Sequence, residues 1–292
     1  ALAWYLKSAA AGDAWAQDKV AWYHYAGVAV EENPEQAVAW YRKSAEQGYP
    51  RGQSGLAWCY EHGFGVETNA ALAFEWYRKS AEQNHPHAQY CLAICYTEAI
   101  GVETNHVAAL EWYEKAAENE YADAQFRMGW FNDTGTHVEL DYTNAVAWYE
   151  RAAAQGHVVA QHNLAVCYER GDGVEVDFAA AANYYQQAAE QGYANAQYKL
   201  GLFHERGQGV EYDPARAFAW YEVAASNGST SAQLEVAYCL EQGFGTETNQ
   251  PRAIELIAEL ADAGDSAAQH ALGWRLANGE GVETNYAKAM EY

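Results

Sequence analysis

The chain has 292 residues, is 50% hydrophobic and carries a formal net charge of −23 at pH 7. This shortage of cations disfavours binding to nucleic acid or to an anionic membrane surface, because phosphate recognition needs clustered Lys and Arg. No apolar run approaches the roughly 18 residues that span a bilayer. We therefore expect no membrane insertion, and a basic partner suits the charge better than an acidic one.

One sequence pattern recurs at a spacing of 36 residues from one end of the chain to the other. Such a strict period indicates one supersecondary unit stacked on copies of itself. We predict a single array of about eight repeats over residues 1–292, which begins and ends within the second helix of a repeat. For that reason we also expect the chain to be part of a longer protein. A valine marks each copy at Val30, Val66, Val102, Val138, Val174, Val210 and Val282, with Thr246 in the eighth place.

The first helix of each repeat, helix A, is illustrated by residues 49–84. Pro50 suits the first turn of a helix, where its missing N–H is not needed. Gln53, Leu56 and Tyr60 then follow at helical spacing on one face. Gly63 is predicted to end the helix, because glycine tolerates the positive φ of a C-terminal turn.

The second helix, helix B, is predicted to begin after an Asn or Asp, the residues that best cap a helix N-terminus. Alanines and large aromatic rings then recur on one face, and we predict that the tryptophans fill the gaps between neighbouring hairpins and are buried core residues. In the last complete copy, Leu256 and Ile257 replace the usual Trp-Tyr pair. The capping residues are Asn33, Asn69, Asn105, Asp141, Asp177, Asp213, Asn249 and Asn285, and the tryptophans are Trp4, Trp40, Trp76, Trp112, Trp148 and Trp220.

Two helices per 36 residues, with no strand-like alternation, predict an all-α fold. Each repeat should be an antiparallel helix-turn-helix hairpin. Stacked hairpins of this kind form a right-handed α-solenoid superhelix.

The repeat motif resembles the Sel1-like repeat, a relative of the 34-residue tetratricopeptide repeat, over the entire chain. The resemblance implies an adaptor that binds other proteins, with helix A lining the concave side. Some secreted members pair two cysteines in each repeat, and penicillin binding or hydrolysis has been attributed to them; this sequence departs from that subgroup, since most copies have one cysteine or none. One copy that carries the motif has Ala145, Trp148-Tyr149, Ala152-Ala153, Gly156, Ala160-Gln161, Leu164-Ala165, Tyr168, Gly171 and Gly173-Val174.

The five cysteines are interpreted as small apolar packing residues. Cys59, Cys95, Cys167 and Cys239 share one position in the repeat, and neighbouring helices pack about 10 Å apart. A disulfide needs Cα atoms within about 7 Å. The cysteines therefore leave the compartment open, and the sequence is compatible with a cytoplasmic, a periplasmic or a secreted protein.

Sequence signatures of chemistry are sparse. No nucleophile, metalloprotease or phosphate-loop motif occurs, so we predict no catalytic residue, no metal site and no cofactor. His85 with His87, and His157 with His162, could ligate a metal in principle, but we interpret them as surface histidines. A glutamate recurs before every helix B and either complements that helix N-terminus or steers a basic partner. The glutamates are Glu31, Glu67, Glu103, Glu139, Glu175, Glu211, Glu247 and Glu283.

A variable stripe on helix A is the predicted binding surface. It comprises the positions equivalent to Arg51, Ser54, Trp58 and His62, which share one helix face and change from copy to copy. Trp, Tyr and Arg, the usual anchors of protein interfaces, are frequent there, although the Trp58 position could instead pack against the next repeat. The predicted partner-binding residues are Trp22, Arg51, Trp58, Tyr90, Phe126, Arg127, Trp130, Arg170, Tyr198, Arg206, Tyr238 and Trp274.

The sequence thus favours a non-enzymatic scaffold that binds a protein or peptide on its concave helix-A surface. A first alternative is a structural, inhibitory or immunity-type protein that assembles end to end through its open ends. A second is a hydrolase acting on β-lactam-like substrates.

Overall fold

A computed structural model describes residues 2–291, and within them it contains seventeen α-helices and no strand. Ala1 and Tyr292, the ends of the predicted array, lie outside this range. The chain divides into two compact units, Ala1–Ala152 and Ala153–Tyr292. In each unit consecutive helices pack as hairpins, as the 36-residue period predicts.

The helices predicted as helix A are uniform, and each has 13 residues. They are α2 (Ala14–Ala26), α4 (Pro50–His62), α6 (Pro86–Glu98), α8 (Ala122–Thr134), α10 (Val158–Arg170), α12 (Ala194–Arg206), α14 (Thr230–Gln242) and α16 (Ser266–Asn278).

The helices predicted as helix B alternate with them along the chain. They are α1 (Leu2–Ala10), α3 (Pro34–Glu46), α5 (Ala70–Ala81), α7 (His106–Glu118), α9 (Tyr142–Ala154), α11 (Phe178–Glu190), α13 (Pro214–Ser226), α15 (Gln250–Asp262) and α17 (Tyr286–Ala289). No helix within residues 2–291 is long and apolar enough to cross a membrane.

The predicted start and stop signals are confirmed. Each Asn or Asp cap accepts a hydrogen bond from the backbone N–H three residues later, as Asn69 does from Leu72 at 3.0 Å. Pro50 lies in the first turn of α4, and Gly63 ends that helix with a φ of 70°. Local side-chain chemistry therefore sets the helix boundaries.

The fully buried ring of helix B is the tyrosine that follows the tryptophan, which corrects the expectation that the tryptophan is a buried core residue, although its predicted place between hairpins agrees with the structure. Tyr77, Tyr149, Tyr185 and Tyr221 are fully buried, whereas Trp76, Trp112 and Trp148 are only half-buried and Trp4 is 75% exposed. The tryptophans bridge neighbouring hairpins: Trp76 packs against the cores of two consecutive repeats. A cation covers the outer face of several of these rings, with Lys79 Nζ 4.1 Å from the Trp76 ring centre.

Within each unit, buried glutamines connect neighbouring repeats. Gln53 Nε2 donates to the Ala45 carbonyl at 3.4 Å, and its Oε1 accepts from Gln83 Nε2 at 2.8 Å. The same pair of bonds recurs at Gln89, Gln161 and Gln197 with distances of 2.8–3.4 Å. Because a buried amide without partners is costly, these bonds specify the register of one hairpin on the next.

The cysteines are free thiols, as the spacing predicts. Cys59, Cys95, Cys167 and Cys239 are buried, and Cys59 and Cys95 belong to the hydrophobic cores. Burial raises the pKa of the Cys59 thiol to about 12. The buried cysteines are thus packing groups, and the raised pKa keeps the Cys59 thiol protonated at neutral pH.

Candidate functional site

The variable stripe in the N-terminal unit borders a cleft between α2, α4 and α6, with Tyr41 of α3 also in its lining. The cleft has a volume of about 440 Å³ and brings together three predicted binding residues, Trp22, Arg51 and Trp58. Helical spacing explains the grouping, since Arg51 and Trp58 lie two turns apart on α4. Trp22 occupies on α2 the position that Trp58 has on α4.

The wall of this cleft is aromatic and held in place by ring contacts. The ring centre of Trp58 lies 5.0 Å from that of Tyr25 in an edge-on arrangement. The His62 ring stacks on the Trp58 ring, with the two ring centres 4.4 Å apart. The Trp58 ring therefore packs against the neighbouring repeat, one of the two interpretations of its position, and it also lines the cleft.

A buried carboxylate in the cleft wall is the residue that sequence reasoning missed. Asp18 is 1% exposed, and its Oδ2 lies 3.3 Å from Arg51 Nε. Burial raises the pKa of the Asp18 carboxyl, and Arg51 opposes that effect only in part. The signal was present in the sequence: Asp18 is the one acidic residue among the positions Asp18, Ser54, Tyr90, Phe126, His162, Tyr198, Leu234 and His270.

The paired histidines are not open surface residues, which corrects their first interpretation. Nδ1 of His85 accepts from the Ala88 N–H at 3.4 Å, and Nδ1 of His157 accepts from the Ala160 N–H at 3.1 Å, so both are helix N-caps. His87 Nδ1 lies 2.9 Å from Ser54 Oγ in the cleft. Within residues 2–291 no group of three or more His, Cys, Asp or Glu side chains is arranged to hold a metal ion.

A second group of predicted residues lies farther along the N-terminal unit. Tyr90 packs on Tyr113 and Tyr121, with ring centres 5.6 and 5.2 Å away. The Arg127 guanidinium lies 5.7 Å from the Trp130 ring centre and lowers the pKa of Tyr90, against a larger increase from burial. Phe126 stacks on Tyr149 at 6.1 Å.

The remaining predicted residues belong to the C-terminal unit and are less concentrated. Tyr198 packs against Tyr221, with ring centres 5.9 Å apart. Arg170 and Arg206 are exposed, Tyr238 is half-buried, and Trp274 is 49% exposed. Sequence reasoning missed the ion pair between Lys199 and Glu169 in this unit, at 3.0 Å.

The recurring glutamates are exposed in all eight copies, including Glu67 and Glu175. They lie two residues before each Asn or Asp cap, so an acidic group stands beside every helix-B N-terminus, where the helix dipole favours negative charge. Their exposure leaves them free to attract cations as well.

Comparison with known proteins agrees with this architecture. The Sel1 repeat family model matches residues 1–13, 16–49, 50–85, 86–121, 122–157, 158–193, 194–229, 230–265 and 266–292. No match was found among curated proteins.

Two solved structures are similar over most of the chain. The first is c5321, a protective antigen present in uropathogenic Escherichia coli strains that displays an SLR fold; it has 32% identity and a TM-score of 0.90 over 100% of this chain. This chain spans 62% of the length of that antigen structure. The second is a Sel1 repeat protein from Oxalobacter formigenes, with 32% identity and a TM-score of 0.72 over 84% of this chain and 96% of that one. Sel1-repeat proteins are in general protein-interaction scaffolds, and the family match over nearly every residue shows that this chain belongs to the Sel1 repeat family.

Proposed function

We propose that this protein is a non-enzymatic scaffold that holds a protein or peptide segment against its helix-A surface. The observation that carries the proposal is that helix A has two kinds of position, one that is buried and recurs from copy to copy and one that is more exposed and varies. The position of Gln53 is glutamine in every copy, that of Leu56 is always Leu, Val or Met, and that of Ala57 is always Ala or Gly; these three residues are buried, whereas the variable stripe beside them carries half-exposed Trp, Tyr, Phe and Arg. Selection for packing explains the first set, and a surface that fits an irregular ligand explains the second.

The partner-binding residues are, on this proposal, those predicted from the stripe. Their rings are already ordered by neighbours in the free protein, as Trp58 is by Tyr25 and His62. Binding to ordered side chains costs little conformational entropy, which favours affinity. Buried aromatic rings and arginines are also the residues that contribute most to protein interfaces.

Charge supports a basic partner. The chain has 40 acidic and 17 basic residues, and the recurring glutamates are all exposed. An acidic surface increases the rate at which a cationic partner associates and makes that rate sensitive to salt.

Affinity capture from cells of the source organism, followed by mass spectrometry, tests the proposal. Phe126→Ala combined with Trp130→Ala should lose the proteins that the unaltered chain enriches, while the circular dichroism spectrum stays helical. Trp4→Ala is the matched control, because it also removes a tryptophan, but from helix B.

Two results would count against the proposal. If no protein is enriched over a mock resin, the chain is not a scaffold. If the folded double variant captures the same proteins as the control, the binding surface lies elsewhere.

A further inference from the structure

We propose that the cleft between α2, α4 and α6 binds a cationic side chain, a guanidinium or an ammonium group, presented by a segment of the partner protein. This inference rests on the proposed scaffold function and specifies the chemistry of one anchor point. It lies entirely in the N-terminal unit.

The first argument is an incompletely satisfied carboxylate. Asp18 is 1% exposed and lines the cleft, yet its buried Oδ2 accepts no hydrogen bond from any of residues 2–291. The nearest cation is Arg51 Nε at 3.3 Å. A buried carboxylate is favourable only when charged donors surround it, so this site lacks donors that a ligand can supply.

The acid is also specific to this cleft. The equivalent positions of the other copies carry Ser54, Tyr90, Phe126 and other non-acidic residues. Packing of the repeat therefore does not require a carboxylate here. A buried charge that the fold does not need is typical of a residue kept for binding.

The second argument is the aromatic wall. The Trp58 ring is fixed by Tyr25 and His62, and Trp22 beside it is 37% exposed. The faces of Trp and Tyr rings attract cations, most strongly where water is excluded. A volume of about 440 Å³ leaves room for a long basic side chain.

The charge balance of the cleft determines which ligand it prefers. Burial lowers the pKa of His85 to about 4 and also lowers that of His87, so both are neutral at pH 7. Asp18 and Arg51 are then the formal charges among the lining residues. The Arg51 side chain is half exposed, so it can turn to solvent when a partner's cation takes its place against Asp18.

Four capped pentapeptides serve as probes: Gly-Gly-Xaa-Gly-Gly with arginine, lysine, citrulline or glutamate at the centre. Binding is followed by NMR titration of the tryptophan indole N–H signals. We expect the arginine and lysine peptides to shift these signals with an affinity that falls as salt rises. Citrulline, which has the shape of arginine without its charge, and glutamate should not shift them.

Substitutions in the intact chain assign the site. Asp18→Asn should weaken binding of the arginine peptide at least about tenfold. Arg51→Gln should strengthen it, because it removes the internal competitor and leaves an amide that can still donate to Asp18. Glu67→Gln makes the same change in net charge as Asp18→Asn at an exposed position, and it should leave the affinity within about twofold.

Loss of binding in Asp18→Asn will not be an effect of unfolding. Since burial raises the pKa of this carboxyl, its contribution to stability is present below the unfolded pKa and lost as pH rises through the folded pKa. At pH 7 the asparagine variant should therefore be at least as stable as the unaltered protein. The thermal midpoint measured by circular dichroism checks this.

Equal binding of the arginine and citrulline peptides, preferential binding of the glutamate peptide, or an unchanged affinity in Asp18→Asn would each overturn the proposal. If any one of these results is found while the Phe126 and Trp130 substitutions still abolish capture of a partner, the scaffold function stands but the cleft is not a cation-binding anchor. If the cleft binds the arginine peptide but the chain enriches no protein, the scaffold function is the one that is wrong.

Discussion

The Tyr77 hydroxyl donates a hydrogen bond of 2.7 Å to Oε2 of Glu61 and so joins the two helices of one hairpin across their buried interface. The same link occurs in other repeats as Tyr149 with Asp133 at 3.2 Å, Tyr185 with Glu169 at 2.5 Å and Tyr221 with Glu205. Burial is the main reason why the pKa of Tyr77 is raised, so this hydroxyl stays protonated and acts as a donor.

One repeat lacks this tyrosine, and its replacement supports the view that the acidic residue on helix A needs a donor. Ile257 stands where the other repeats have tyrosine and cannot donate to Glu241. Arg275, at a position that is cysteine in four copies, instead donates to both oxygens of Glu241 at 2.7 and 2.8 Å. Arg275 is 6% exposed. The loss of one partner in the last complete repeat is therefore offset by a buried ion pair from the next helix A.

Tyr77→Phe should lower the free energy of unfolding by about 1–2 kcal/mol, the net value of a hydrogen bond to a charged acceptor that is still partly hydrated. The measurement is a urea titration at pH 7. Tyr286→Phe, at a side chain that is 69% exposed, is the control and should leave the midpoint unchanged. A Tyr77→Phe midpoint equal to that of the control would show that the hydroxyl bond is not stabilising.

Tyr113→Ala should destabilise the fold more than Trp112→Ala, although Trp is the larger residue. Tyr113 is 2% exposed, whereas Trp112 is half-buried under Lys115, whose Nζ lies 4.1 Å from the ring centre. Truncating a fully buried ring costs about 3–5 kcal/mol, and we expect about 2–3 kcal/mol for the half-buried one. Paired urea titrations measure the difference, and the reverse order would place the tryptophan in the core after all.

Gly209→Ala should be far more costly than Gly192→Ala. Both glycines have a positive φ, 66° and 87°, but a Cβ on Gly209 would overlap the backbone carbonyl of Phe178 in the preceding helix B, whereas one on Gly192 would meet nothing within 4 Å. Left-handed backbone strain alone costs about 1–2 kcal/mol, and forced overlap adds about 1–3 kcal/mol.

The midpoints of thermal unfolding for the two glycine variants provide the test. Equal shifts would mean that Gly209 is needed only for its left-handed backbone conformation and not for close approach between repeats.

Stability of the C-terminal unit should fall as the pH drops from about 6.5 to about 4. Burial lowers the pKa of His162 to about 4, with Lys199 adding to the effect and Glu169 opposing it. Because the pKa of His162 is lower in the folded state, the contribution of the neutral imidazole to stability is present above its unfolded pKa, near 6.5. That contribution is lost as the pH falls through the folded pKa. The full loss is roughly 3 kcal/mol, since one pKa unit corresponds to about 1.4 kcal/mol.

His162→Phe should reduce this acid sensitivity, because Phe126 shows that the position accepts a phenyl ring. His270→Phe is the matched control at the equivalent, exposed position of a later repeat. Urea midpoints at pH 7 and pH 4.5 measure the effect. An unchanged pH dependence in His162→Phe would show that other groups cause the acid loss.

Most of the fold could be predicted from the sequence because repetition makes local signals redundant. The Asn69 cap and the Gly63 stop depend on chemistry within a few residues. An Asn or Asp recurs at the cap in eight copies and a glycine at the stop in seven, which leaves little ambiguity. The assignment of the buried ring was less successful. Trp76 and Tyr77 are adjacent and both recur, so the pattern does not show which ring is more deeply buried: Trp76 was placed between hairpins, but the full burial of Tyr77 was not anticipated.

The candidate site was found only in part for a similar reason. The aromatic residues Trp22 and Trp58 were identified because variation among copies is visible in the sequence. Asp18 was missed because its burial and its ion pair with Arg51 both depend on residues of the next repeat. Neither can be seen in the repeat that contains Asp18.

By itself, the sequence determined the period, the helix boundaries and the family, because these follow from local propensities that recur every 36 residues. Only the tertiary structure decided which side chains are buried and which unlike residues from neighbouring repeats meet. Those contacts depend on how one hairpin rotates against the next, and that rotation is a property of the packed interface and not of any single repeat.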